Sequence, residues 1–156
     1  MTDKRHVLVA ITDKSTNNLV VQSLVGSVGM EVHSVRDYDS ALRKIADLPE
    51  ASVVIATPLI WRDSVYNRNV CASDMLNRAL EQNQRVRLIS EVYAEDLEGG
   101  VGAVFSGFNP SLITLLDKPG VQIADKGIFS SFDTTTSQIY DFIEGIPTRF
   151  SIYEAA

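Results

Sequence analysis

The sequence predicts an α/β protein: an open, mainly parallel five-stranded sheet with helices on both faces. Three observations lead there. Short continuous apolar runs, VLVAI at Val7–Ile11 and SVVIAT at Ser52–Thr57, read as strands buried on both faces, because a strand with one wet face would alternate. Between such runs lie stretches with apolar residues at i, i+3, i+4 and i+7, the spacing of a helix with one buried face. The resulting β-α-β-α-β alternation is unbroken as far as Thr57, and crossovers of this length join parallel neighbours through right-handed connections.

Taken in order, Val7–Ile11 gives way abruptly to Thr12, Asp13, Lys14 and Ser15, the polar carboxyl end at which an open α/β sheet keeps its site. Ser15 or Thr16 is the expected cap of the first helix, with Val21, Leu24, Val25 and Val28 inward and Gly26 and Gly29 marking its end. Met30–Val35 is the second strand. Asp37 can cap a second helix with Tyr38, Ala41, Leu42 and Ile45 inward, stopped by Pro49. After the third strand, Ser52–Thr57, the stretch Pro58–Val70 reads as irregular, longer than the usual connection, and carries the only tryptophan, Trp61. A third helix from about Ala72 to Gln82 has Met75, Leu76, Ala79 and Leu80 on one face, and Arg85–Ser90 is the fourth strand.

Beyond Glu91 the pattern weakens. Ala94–Glu98 reads as a short acidic helical turn, broken by Gly99 and Gly100, and Gly102–Phe105 as a brief strand. Asn109-Pro110 is a good helix start, and Leu112, Leu115 and Leu116 have helical spacing, which makes Val121–Ala124 the fifth strand. The competing parse makes Ile113–Leu116 the fifth strand, running into the Pro119-Gly120 turn. A last helix, about Thr135–Glu144, takes Asp133 or Thr134 as its cap, faces Ile139, Phe142 and Ile143 inward and stops at Gly145. The alternation in Thr148–Tyr153 admits a sixth, edge strand.

Composition narrows the function classes. The 156 residues fit one domain spanning 1–156, and a hydrophobic fraction of 45% with 22% charged residues is that of an ordinary globular protein. The formal charge of −6 and scattered lysines and arginines argue against direct nucleic-acid binding, which needs a basic face. No apolar run reaches membrane-span length and MTDKRH leads straight into the first strand, so the expectation is a cytoplasmic protein without membrane contact. Cys71 is the only cysteine, which excludes an intrachain disulfide and a cysteine metal cluster, and it reads as a structural thiol. His6 and His33 read as strand-end side chains, for want of a partner motif. No metal or cofactor is expected.

The order of elements, with Asp13 after strand one, Ser90 ending strand four and Lys118-Pro119 further on, resembles the flavodoxin-like receiver domains of bacterial signalling. Such a resemblance implies a three-layer fold. It also implies paired acids after strand one, a phosphoacceptor aspartate after strand three, Ser or Thr after strand four and Lys-Pro after strand five. Here Asp13 stands beside Thr12, strand three ends in Ala56-Thr57, and Lys118 fits only if Ile113–Leu116 is the strand. An acyl phosphate needs a carboxylate nucleophile, so the likeness is to an atypical receiver that does not use aspartyl phosphorylation. The opening VLVAITDKS is similar also to the first strand of universal-stress-type nucleotide-binding proteins, whose glycine-rich phosphate signature is not found. Asp13-Lys14-Ser15-Thr16 lacks the glycines of a phosphate-binding loop.

Two functions follow as expectations. The first is a non-catalytic regulatory domain acting through contacts with a protein partner, a second copy of the chain among the candidates, with Trp61, Phe142, Phe150 and Tyr153 as the contact surface. The second is a small-ligand sensor or minor enzyme, holding a nucleotide or anion at the strand ends with Asp13, Lys14, Thr57, Arg62, Ser90 and Lys118 around it.

Overall fold

In a computed structural model, residues 4–25, 29–57, 61–63, 68–70, 72–90, 118–125, 127–130 and 134–151 are described. The elements run β1 (Arg5–Ala10), α1 (Lys14–Leu24), β2 (Met30–Val35), α2 (Tyr38–Asp47), β3 (Val53–Ala56), β4 (Trp61–Asp63), β5 (Arg68–Val70), α3 (Ser73–Glu81), β6 (Arg85–Ser90), β7 (Val121–Asp125), α4 (Gly127–Ser130) and α5 (Thr136–Glu144). Five strands form one parallel sheet in the order β2-β1-β3-β6-β7. With helices on both faces this is the three-layer flavodoxin-like architecture, and the order reverses direction between β1 and β3.

Strand alternation divides the core in two. Leu8, Ala10, Val54, Ala56, Val86 and Leu88 meet Ala41 and Ile45 of α2 and Met75, Leu76 and Ala79 of α3. On the other face Val7, Val9, Val53, Ile55 and Ile89 meet Val20 and Leu24 of α1 and Phe142 and Ile143 of α5. Burying one Leu or Ile side chain stabilises by about 2 kcal/mol relative to exposure. Helices of nine to eleven residues, too short to persist alone in water, are held by these faces.

Several local expectations are corrected. Asp13, not Ser15 or Thr16, caps α1: its Oδ2 accepts from both the backbone N–H and the hydroxyl of Thr16, at 2.8 Å each. The helix ends at Leu24, so Val25 turns extended and is 64% exposed instead of inward. The stretch read as irregular contains an antiparallel pair, β4 with β5, in which Trp61 opposes Val70, and β4 lies beside α2. Thr135, not Asp133 or Thr134, caps α5 through a capping box with Gln138, while the Thr134 hydroxyl donates to the Gly127 carbonyl. Asp37 caps α2 as read from the sequence.

Val121 opens the fifth strand of the sheet, in agreement with the parse that made Ile113–Leu116 helical; those residues themselves lie outside the described ones, as do Gly26, Val28, Cys71, Ala94–Glu98, Gly102–Phe105 and Asn109. Of the expected sixth strand, Thr148–Tyr153, the described residues show one antiparallel bridge, Ala124 with Ser151. The chain turns at Thr148–Ser151, where Ser151 N–H donates to the Thr148 carbonyl, and this turn sends the Phe150 ring into the core.

A cation sits inside the sheet. Arg87, in the middle of β6, is 2% exposed, and its guanidinium donates to the carbonyls of Phe142, Ile143, Gly120 and Val86 at 2.8–3.1 Å. Two of these carbonyls belong to the last turn of α5: that of Phe142 also accepts from Gly145 N–H, that of Ile143 is an orphan of the helix end, and a cation there meets the negative end of the helix dipole. Burial, with Arg85 beside it, pushes the pKa of Arg87 down to about 10, so it stays charged at neutral pH.

Candidate functional site at the carboxyl ends of the strands

Parallel strands place the residues that follow them on one edge of the sheet. That edge carries Thr12 and Asp13 after β1, Arg36 and Asp37 after β2, Thr57 after β3, Ser90 at the end of β6 and Asp125 at the end of β7. Thr12 and Thr57 flank the β1/β3 boundary, the topological switch point where doubly wound sheets open a crevice. Thr57 is fully buried, and strand alternation puts it on the face covered by α1 and α5. Its hydroxyl, like the buried hydroxyl of Thr12, has no hydrogen-bond partner among the described residues. A buried hydroxyl left unpaired costs about 1–3 kcal/mol.

The acids and cations around this edge are differently engaged. The Asp13 carboxylate is held below its usual pKa chiefly by the N–H and hydroxyl of Thr16, and Asp37 likewise by Ser40. Asp13 thus serves first as a helix cap. Lys14 is exposed at the first turn of α1, and exposed Arg36 donates from Nε to the Thr12 carbonyl at 3.2 Å. Ser90 and Asp125 are buried, and Asp125 Oδ1 accepts from Gly127 N–H at 2.7 Å. Arg62 belongs to β4, outside the five-stranded sheet.

Lys118 does not join them. It precedes β7 and therefore lies at the opposite, amino edge, where its Nζ donates to Asn77 Oδ1 at 2.6 Å and lines an open groove with Leu42 and Glu81. Lys118-Pro119 thus comes before the fifth strand of the sheet, not after it. Of the expected contact surface, Phe142 and Phe150 are core residues at 3% and 7% exposure, because the inward face of α5 and the Thr148–Ser151 turn both point at the sheet. Trp61 is placed on β4, and Tyr153 lies outside the described residues.

Sequence reasoning read Thr12 only as part of the polar end of β1 and passed over Arg36 and Asp125; the signal for all three was position, as polar residues at the carboxyl end of a strand. A second cluster, at the amino edge, joins His6 of β1 with Glu31 and His33 of β2: His6 Nδ1 is 3.1 Å from His33 Nε2 and 3.3 Å from Glu31 Oε2. Desolvation holds the His33 pKa below the ordinary value, with Lys44 of α2 adding to the effect.

No protein-family model matches the sequence, and no curated protein matches it. Among solved structures the chain is similar to the C-terminal catalytic domain of peptidoglycan O-acetyltransferase A (OatA) from Streptococcus pneumoniae, determined with a methylsulfonyl adduct. The identity is 13%, the match covers 100% of this chain and 84% of that chain, and the TM-score is 0.42. No helix among the described residues is long and apolar enough to cross a membrane.

Proposed function

We propose that this chain is a non-catalytic regulatory α/β domain that responds to a small polar ligand, an anion or a nucleotide, held at the carboxyl ends of β1 and β3. The observation that carries the reading is Thr57, a fully buried hydroxyl without a partner among the described residues, beside the switch point. A ligand polar atom that reaches Thr57 supplies the missing hydrogen bond, and a second that reaches Thr12 does the same there, so these groups favour the bound state over the free one. Lys14 and Arg36, both exposed at the same edge, supply positive charge for an anionic group. The test is thermal melting of the protein with a panel of nucleotides and inorganic phosphate. At 100 times its dissociation constant a ligand stabilises the fold by about 2.7 kcal/mol, a shift of a few degrees; a panel without any shift would sink the reading.

A second reading, regulation through protein contacts by an atypical receiver, is favoured by a different observation. The end of β3 offers Thr57 where phosphotransfer needs a carboxylate, and Asp13 is engaged as a cap. With Phe142 and Phe150 buried, its contact surface would rest on Trp61, Tyr153 or other residues. Native mass with and without acetyl phosphate and Mg²⁺ separates the two. A dimer indifferent to acetyl phosphate, together with flat melting curves, supports contact-based regulation.

A further inference from the structure

We propose that His6, Glu31 and His33 form a binding site for a divalent transition-metal ion of the zinc type, at the sheet edge remote from the strand carboxyl ends. The register makes the site. In the parallel β1/β2 pair His6 lies opposite Glu31 and Leu8 opposite His33, so alternation puts all three polar side chains on one face, the face that α2 covers.

Their donor atoms already stand at ligand spacing. His6 Nδ1 is 3.1 Å from His33 Nε2 and 3.3 Å from Glu31 Oε2, and the three atoms lie within 4.8 Å of one another. Nitrogen and oxygen ligands at about 2.0–2.1 Å from a tetrahedral ion are about 3.3 Å apart. Two imidazoles and one carboxylate suit zinc and its neighbours, whereas calcium and magnesium prefer an all-oxygen set.

Without an ion, one of the two imidazole nitrogens donates to the other across the 3.1 Å contact, the ring planes 11° apart and the centroids 5.4 Å apart. When a metal ion binds, the donor ring carries its proton on its other nitrogen, as the second neutral tautomer, and a modest turn of each ring aims both lone pairs at one point. Glu31 contributes the negative charge, against Lys44 of α2, which faces His33. The side chains of His6 and Glu31 are 30% and 50% exposed, which leaves an entry path and a remaining position for water or an incoming donor.

Calorimetric titration of the full chain with Zn²⁺, and Co²⁺ titration followed by visible absorption, test the site. One ion per chain is expected in the wild type and in Cys71→Ser, with visible Co²⁺ bands of a four-coordinate nitrogen and oxygen environment. His6→Ala, Glu31→Gln and His33→Ala should each weaken binding at least as much as the roughly 10–100-fold that outer partners of a metal are worth. Circular dichroism checks that each variant folds, and His33→Gln, which keeps a polar side chain at the edge strand, replaces His33→Ala if that variant does not. Absence of saturable binding in the wild type overturns the proposal. So does affinity that survives the loss of both histidines, and neither result touches the reading of the carboxyl edge.

Discussion

The Nη2 of Arg87 stands 2.8 Å from the point that a Cβ on Gly145 would occupy, and Gly145 itself has a φ of +82°. The left-handed residue that ends α5 and the buried cation that satisfies the same helix end are thus built around each other. Gly145→Ala should therefore be penalised twice, by about 1–2 kcal/mol for the backbone and by a further amount for displacing the guanidinium. Arg87→Met, which keeps the stem but strands the Ile143 carbonyl and removes the charge-assisted bond to that of Phe142, should destabilise by roughly 3 kcal/mol. Urea unfolding of both single variants and the double variant checks the relationship. In the Arg87→Met background the alanine should be less harmful; strict additivity would mean that the guanidinium moves aside freely.

Thr57→Val removes a buried hydroxyl without changing the side chain's shape. Because that hydroxyl has no partner among the described residues, the variant should be as stable as the wild type or more so, by about 1 kcal/mol. It should also lose any ligand-induced shift in the melt. A marked loss of stability would instead reveal a structural hydrogen bond to Thr57.

Acid should weaken both helix starts. Asp13 and Asp37 have lowered pKa values because Thr16 and Ser40 donate to their carboxylates. A folded pKa below the unfolded one means that this stabilisation is fully present above about pH 4 and is lost as the pH falls through the lowered value. Asn at both positions keeps an N-cap side chain that does not titrate. Stability of Asp13→Asn/Asp37→Asn, followed by denaturant unfolding from about pH 5 to about pH 2.5, should thus fall less steeply than that of the wild type.

Asn17 is 1% exposed on the inner side of α1, and its amide donates to the carbonyls of Ile11 and Val35 while accepting from the Ser34 hydroxyl. It ties the helix to the carboxyl ends of β1 and β2. Asn17→Ala should cost about 2 kcal/mol in a chemical melt and expose the amides that follow both strands to faster hydrogen exchange. Unchanged exchange there would show that the strand ends are held by other contacts.

Arg87, Asn17 and Gln84 show where a reading of the chain alone stops. Each is a polar residue that donates to main-chain carbonyls of other elements: the last turn of α5 for Arg87, the ends of β1 and β2 for Asn17, the end of α2 for Gln84. In the sequence they look like interruptions of an apolar pattern. The capping box at Thr135 and Gln138 is different, because its partners are three residues apart and the TTSQ string states them openly.

The parallel α/β architecture was written in the chain, since period-two and period-3.6 burial patterns and short crossovers depend on neighbours close in sequence. Met30–Val35, the Asp37 cap, the inward face of α2 and the fifth strand at Val121 follow from such local rules. Tertiary structure alone decided which strand ends meet. It set the end of β3 at Thr57 beside the end of β1, carried Lys118 to the far edge, drew Phe142 and Phe150 into the core and brought His6 against Glu31 and His33. These are outcomes of strand order and register, and register is fixed by the simultaneous burial of many side chains on both faces of the sheet, not by any residue's immediate neighbours.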